Sequence, residues 1–171
     1  MANRRPRTVP YRRKREQKTD YKKRLRTLLG NKPRLVVRIT NQRIIAQLIE
    51  FTTTGDKVVA AVDSFGLKKL GWSHSCRNLP AAYLTGMLIA KKGLQKGCQE
   101  AVFDTGFKLA QKQGRLFAFL KGVLDGGLQV PHGGENIFPT EERLMGKHLK
   151  SGSSAEQTTA QFAQLKQKIA K

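Results

Sequence analysis

The residues best equipped for chemistry sit at the start of the chain, where Arg4, Arg5, Arg7, Arg12, Arg13, Lys14, Arg15, Lys18, Lys22, Lys23, Arg24 and Arg26 face only Glu16 and Asp20. That chemistry is neutralisation of a polyanion. Arginine predominates in the first half, and its planar fork suits phosphate oxygens and the faces of bases. Tyr11 and Tyr21 interleave rings of the same use. Lys32, Arg34, Arg38, Asn41 and Arg43 continue the basic run, so a net of 14 of the chain's 21 positive charges lies before Ile44. A second basic and aromatic cluster holds Lys68, Lys69, Trp72, His74, Arg77 and Asn78, and Arg115 opens a later helix. Trp72 reads either as a ring that stacks on a base or as a core ring. A solubilising or import tail is the blander reading of the first run.

Other chemistries have weaker patterns. Glu50, Asp63, Asp104 and Asp125 lie in or near expected strands and a helix, where a metal-dependent nuclease would gather carboxylates, but scattered acids more often serve as ion-pair partners. Asp104-Thr105-Gly106 resembles a phosphate-binding turn and equally an ordinary one. His74, Cys76, Cys98 and His132 have irregular spacing and contain no CxxC pair, so no metal or cofactor is expected and both thiols are read as free. No GxSxG elbow occurs.

The whole chain has 33 Lys and Arg against 12 Asp and Glu, a formal charge of +21 that would repel itself in a compact state without a polyanion. Nucleic acid is therefore the expected partner. A membrane is not: the longest apolar stretch, around Ala81 to Ala90, falls short of the roughly 20 residues a span needs. No apolar segment follows the basic N-terminus, so no secretory signal is expected. At 171 residues the chain suits one domain with appendages.

The elements that must position these residues are legible in outline. Lys32 to Phe51 alternates as two strands about a Thr40–Arg43 turn, with Leu35, Val37 and Ile39 inward and Arg34, Arg38 and Thr40 outward. The second strand, apolar on both faces, belongs inside the sheet. Val58, Ala60 and Val62 alternate in a third strand, and residues 99–104 read as a fourth, parallel to a neighbour. Asn78 and Pro80 open a helix with a stripe of Leu84, Met87, Leu88 and Leu94, and its Gly86 and Gly93 permit close approach to the sheet. A second helix spans Arg115 to Asp125, and Thr140 caps a short third. Thr19 or Asp20 caps a short helix ended by Gly30. Ser151 to Ser154 reads as a linker before a helical stripe of Phe162, Leu165 and Ile169. The first 26 residues carry too few aliphatic side chains for a core and are expected to be disordered until they meet RNA.

Four segments carry a family resemblance: KTDYKKRLRTLLGNKPRLVVRITNQRIIAQ, NLPAAYLTGMLIAKKG, GRLFAFLKGVLDGGLQVPHG and FPTEERLMGKH. In order and spacing they resemble the archaeal-type L-eighteen family of large-subunit ribosomal proteins, whose eukaryotic relative is L-five, over roughly Lys18 to His148. The resemblance implies an α/β fold with an RNase H-like βββαβα body, a basic N-terminal arm and a C-terminal helical extension. It implies a non-enzymatic structural role on the cytoplasmic ribosome. The partners would be 5S rRNA, which the chain would anchor in the central protuberance, together with large-subunit rRNA and neighbouring ribosomal proteins. The corresponding division is an arm over residues 1–26, a body over 27–150 and a C-terminal linker and helix over 151–171. By this resemblance the arm, the Lys32 to Arg43 region and the Trp72 to Asn78 loop lie against RNA. Two other readings remain open here: a metal-dependent nuclease on the same fold, and a generic cationic nucleic-acid-binding protein.

Overall fold

A computed structural model describes residues 8–148 and 152–170. Strands β1 (Arg34–Ile39), β2 (Ile44–Thr52), β3 (Gly55–Asp63) and β4 (Val102–Asp104) form one mixed sheet in the order β3-β2-β1-β4. The two short connections make β1, β2 and β3 antiparallel neighbours, whereas β4 returns through a helix and pairs parallel to β1. Register runs from Arg34 opposite Ile49 to Ile39 opposite Ile44. This places Leu35, Val37, Ile39, Ile44, Ala46, Leu48, Ala60 and Val62 on one buried face.

Two short helices, α1 (Arg12–Arg15) and α2 (Tyr21–Leu28), precede the sheet, and α3 (Gly66–Lys69) follows β3. The Asp20 carboxylate caps α2 by accepting from the amides of Lys22 and Lys23. The left-handed residue after α2 is Asn31 rather than Gly30. Helix α4 (Leu79–Gln95) starts where Asn78 accepts from the Ala81 amide, with Pro80 in its first turn, and α5 (Arg115–Asp125) packs against it. A final pair, α6 (Glu141–Met145) and α7 (Gly152–Ala170), closes over α4. None of the helices among the described residues is long and apolar enough to cross a membrane.

The core centres on α4, which is buried around most of its circumference, not along one stripe: Tyr83, Thr85, Ile89 and Ala90 are enclosed, whereas Leu94 at its end is 38% exposed. Enclosure follows from position, since β2 and β3 cover one side and α5, α6 and α7 the others. Gly93 does face the sheet, where a Cβ would meet Leu48. Gly86 instead faces α5: a Cβ there would lie 2.2 Å from the Phe119 carbonyl oxygen, and one on Gly122 would lie 2.1 Å from that of Tyr83. Two glycines thus let the α4 and α5 backbones touch. The Tyr83 hydroxyl, donating to Asp125 at 2.7 Å, ties the same pair.

Phe162, Leu165 and Ile169 pack on the body, with the Phe162 ring 5.4 Å from that of Tyr83. Gly152, Ser153 and Ser154 begin α7 where a linker was expected, because the buried stripe sustains one continuous helix from which they extend. Ser151 lies outside the described residues. Thr140 occupies the N-cap position of α6, but its side chain makes no capping bond. Arg34, expected to point outward, is 4% exposed, because it sits on β1 between two carboxylates of other strands.

Cys76 and Cys98 are unpaired and buried. Burial raises both thiols above the ordinary value, and the Glu50 charge adds to the effect at Cys98. Unfolded thiols ionise first, so the stability they contribute is present below about pH 8.5 and declines as pH rises through their folded values. Native protein should react slowly with a thiol reagent at pH 8, and denatured protein should yield two thiols; a disulfide under non-reducing mass analysis contradicts this. Gly86→Ala or Gly122→Ala should destabilise the protein by about 1–3 kcal/mol or more in denaturant unfolding. Gly30→Ala, with open space around its Cβ, serves as the control and should be neutral or slightly stabilising.

Candidate nucleic-acid interface

Parallel pairing of β1 and β4 brings their carboxyl ends to the same end of the sheet, near the Thr40–Arg43 turn and the loop before α4. There the Arg43 guanidinium pairs with Asp63 at 2.8 Å and lies 5.4 Å from the Phe65 ring centre, which the Lys68 ammonium also approaches at 5.2 Å. Arg77 donates to the Asn41 carbonyl at 2.9 Å, and Arg115 to the Arg77 carbonyl at 3.4 Å. These bonds gather Asn41, Arg43, Lys68, Arg77 and Arg115 beside the N-termini of α4 and α5. Neither helix carries an acidic residue in its first turn. Cations next to the positive ends of helices repel one another and the dipoles, so this end of the sheet favours an anion.

The second assembly lies where the arm meets the opposite face of the sheet. Arg24 donates both terminal nitrogens to Asp56 at 2.8 Å each. Asp56 also accepts from Arg34 at 2.8 Å, and Arg34 reaches Asp104 at 3.3 Å. Burial pushes the Asp56 carboxyl up, but the Arg24 hydrogen bond and the charges of Arg34 and Arg24 outweigh it and hold it below its ordinary value. Lys23 reaches Thr105 Oγ1 at 2.9 Å and the Gly106 carbonyl at 3.3 Å. The end of the arm expected to be disordered is therefore helix α2 docked on the body, and α2 runs across residues 26 and 27. Charged side chains supply the attachment that the missing aliphatics could not.

The candidates named from sequence divide accordingly. Exposed on the arm are Tyr11, Arg12, Arg13, Lys14, Arg15, Lys18, Tyr21, Lys22 and Arg26, and on the body Lys32, Arg38, Asn41, Arg43, Lys68, Lys69, Arg77 and Arg115. Arg4, Arg5 and Arg7 lie outside the described residues. Tyr11 and Tyr21 pair with each other, ring centres 5.4 Å apart. Lys32 forms an ion pair with Glu100, and Lys18 and Arg12 pair with Glu16. Three candidates have side chains engaged within the fold, Trp72 and Arg34 buried and Asn78 half-buried. Trp72 is a core ring, 2% exposed, with its indole N–H on the Ser75 carbonyl. Asn78 uses its side chain as the α4 cap. Arg34 is buried with both terminal nitrogens on carboxylates.

Sequence reading passed over Lys108 and Phe107. Lys108 caps the exit of β1 by donating to the Ile39 carbonyl, and Phe107 is 51% exposed beside the arm. A signal for this loop was present: no acidic residue occurs between Asp104 and Asp125. The four carboxylates weighed for metal chemistry do not converge. Asp63 binds Arg43, Asp104 binds Arg34, Asp125 accepts from Tyr83, and Glu50 lies near Cys98. Among the described residues no three ligating side chains form a metal-holding group.

A family model described as ribosomal large subunit proteins 60S L5, and 50S L18, matches residues 7–100. The large ribosomal subunit protein uL18 of Korarchaeum cryptofilum is 51% identical over 143 residues, covering 84% of this chain and 73% of that protein. The large ribosomal subunit protein uL18 of Methanococcus maripaludis is 47% identical over 143 residues, covering 84% of this chain and 74% of its own. The family model takes in most of the arm, the first three strands and the loop before α4, and the chain belongs to the family of ribosomal large-subunit proteins 60S L5 and 50S L18.

Proposed function

We propose that the chain is a structural, non-enzymatic constituent of the large ribosomal subunit that binds 5S rRNA and helps anchor it to the large rRNA in the central protuberance, beside neighbouring ribosomal proteins. The observation that carries this reading is the placement of exposed cations on two surfaces, the arm and one end of the sheet, where few carboxylates offset them. Phosphate neutralisation would supply affinity through counterion release, and the rigid sheet end would supply shape. The β-β-β-α-β-α order of the body supports an RNase H-like assignment. The division into an arm over 1–26, a body over 27–150 and an extension over 151–171 belongs to the same proposal, with α2 as the joint between the first two. Separate partners for the four carboxylates favour this reading over a nuclease on the same fold.

Removing residues 1–18 deletes eight cations and leaves α2 docked. If half of them meet phosphates, the plot of log affinity against log salt should flatten by about 3. The truncated protein should still prefer 5S rRNA to duplex DNA and to unrelated RNA. Equal salt slopes would make the arm a solvated tail, and loss of all preference would make the protein a generic cationic binder. Magnesium-dependent RNA cleavage that disappears in Asp104→Ala would establish the nuclease instead.

A further inference from the structure

Between the arm and the open face of the sheet lies a cavity of about 490 Å³, walled by residues of the arm, β1 and the 104–108 loop. The arm is pinned over it by Lys23 on Thr105 and Gly106 and by Arg24 on Asp56. Seven cationic side chains and three carboxylates line it. All three carboxylates are engaged: Asp20 caps α2, and Asp56 and Asp104 hold Arg24 and Arg34. Among the described residues, four of the seven cations form no ion pair. Arg38 has no hydrogen-bond or ion-pair partner among the described residues, and Arg13, Lys23 and Lys108 donate only to neutral oxygens. Positive charge gathered within low-dielectric walls focuses field on an anion.

One side of the same cavity is apolar. Val36 and Ile49 contribute to its floor, and the half-exposed Phe107 ring stands at its margin. A neighbouring hollow of about 530 Å³, lined otherwise by arm residues between Lys14 and Lys22, shares Phe107. An aromatic face beside unpaired cations is the arrangement that holds an unstacked base and its phosphate together.

We propose that this cavity takes one unstacked nucleotide of an RNA strand, its phosphate among Arg38, Lys108 and Arg13 and its base against Phe107. The inference rests on the RNA-binding reading and deepens it. A free mononucleotide offers the same chemistry, and the experiment separates the two sources.

Phe107→Trp places an indole at the cavity, while the buried Trp72 reports in the same spectrum that the chain is folded. Single-stranded RNA should quench the introduced indole, and Arg38→Gln in that background should weaken the quenching by about tenfold, as loss of one charge-assisted hydrogen bond predicts. Adenosine monophosphate should quench only at far higher concentration, and adenosine or inorganic phosphate alone should not. As a second measurement that leaves Phe107 in place, the unchanged chain should be crosslinked to RNA carrying 4-thiouridine, with adducts expected in the 105–108 segment. RNA retained in a filter assay, with no quenching and with adducts only elsewhere, overturns the cavity and leaves the RNA-binding reading standing. No RNA retention by the unchanged chain overturns that reading itself, and quenching by the mononucleotide alone would then overturn RNA as the source.

Discussion

Strand β1 carries a guanidinium into a site only 4% exposed, and much of the molecule follows from how that charge is compensated. Arg34 holds Asp104 of β4 and Asp56 of β3, and Asp56 in turn holds Arg24 of α2. An ion removed from water without partners is costly, and breaking such a pair costs about 3–5 kcal/mol because the survivor is stranded. The network therefore constrains three elements that are distant in sequence. It supports the parallel alignment of β4 on β1, fixes the β2–β3 turn against that pair, and brings the end of the arm onto the face of the sheet away from α4.

With the arm so placed, the chain's cations fall into two populations. Arg24 and Arg34 face carboxylates and hold the fold together. Arg12 and Lys18 pair only at the surface, where an ion pair contributes little. The remaining exposed cations have few acidic neighbours, and at the sheet end they adjoin two helix N-termini whose partial charges have the same sign. The body tolerates this arrangement because its cohesion comes from elsewhere: the enclosure of α4, the glycine contact between α4 and α5, and the α7 stripe on Tyr83. Apolar packing absorbs the folding requirement and leaves charge free for a partner.

The hairpin, the two long helices and the parallel fourth strand were legible because each depends on local spacing. Asn78 and Pro80 announced α4 within three residues, and alternation announced β1. Arg34 was misplaced for the opposite reason, since its partners lie 22 and 70 residues away and alternation assigns only a face, not what covers it. Trp72 had two equal readings, which its burial decides. Gly86 was correctly taken as a close-approach residue, yet spacing could not say that the neighbour is α5 and not the sheet. The docked end of the arm was missed because an expectation built on aliphatic content has no place for attachment by ion pairs.

The central claim is that these two populations of cations do different work, and one paired measurement tests it: stability in denaturant and the salt slope of 5S rRNA binding, for Arg34→Met and Arg38→Gln side by side. Arg34→Met should lower stability by about 3 kcal/mol or more while the folded fraction keeps its salt slope. Arg38→Gln should leave stability within about 0.5 kcal/mol and reduce the slope by up to about 0.9. The reverse pattern, or the same change in both variants, would contradict the account.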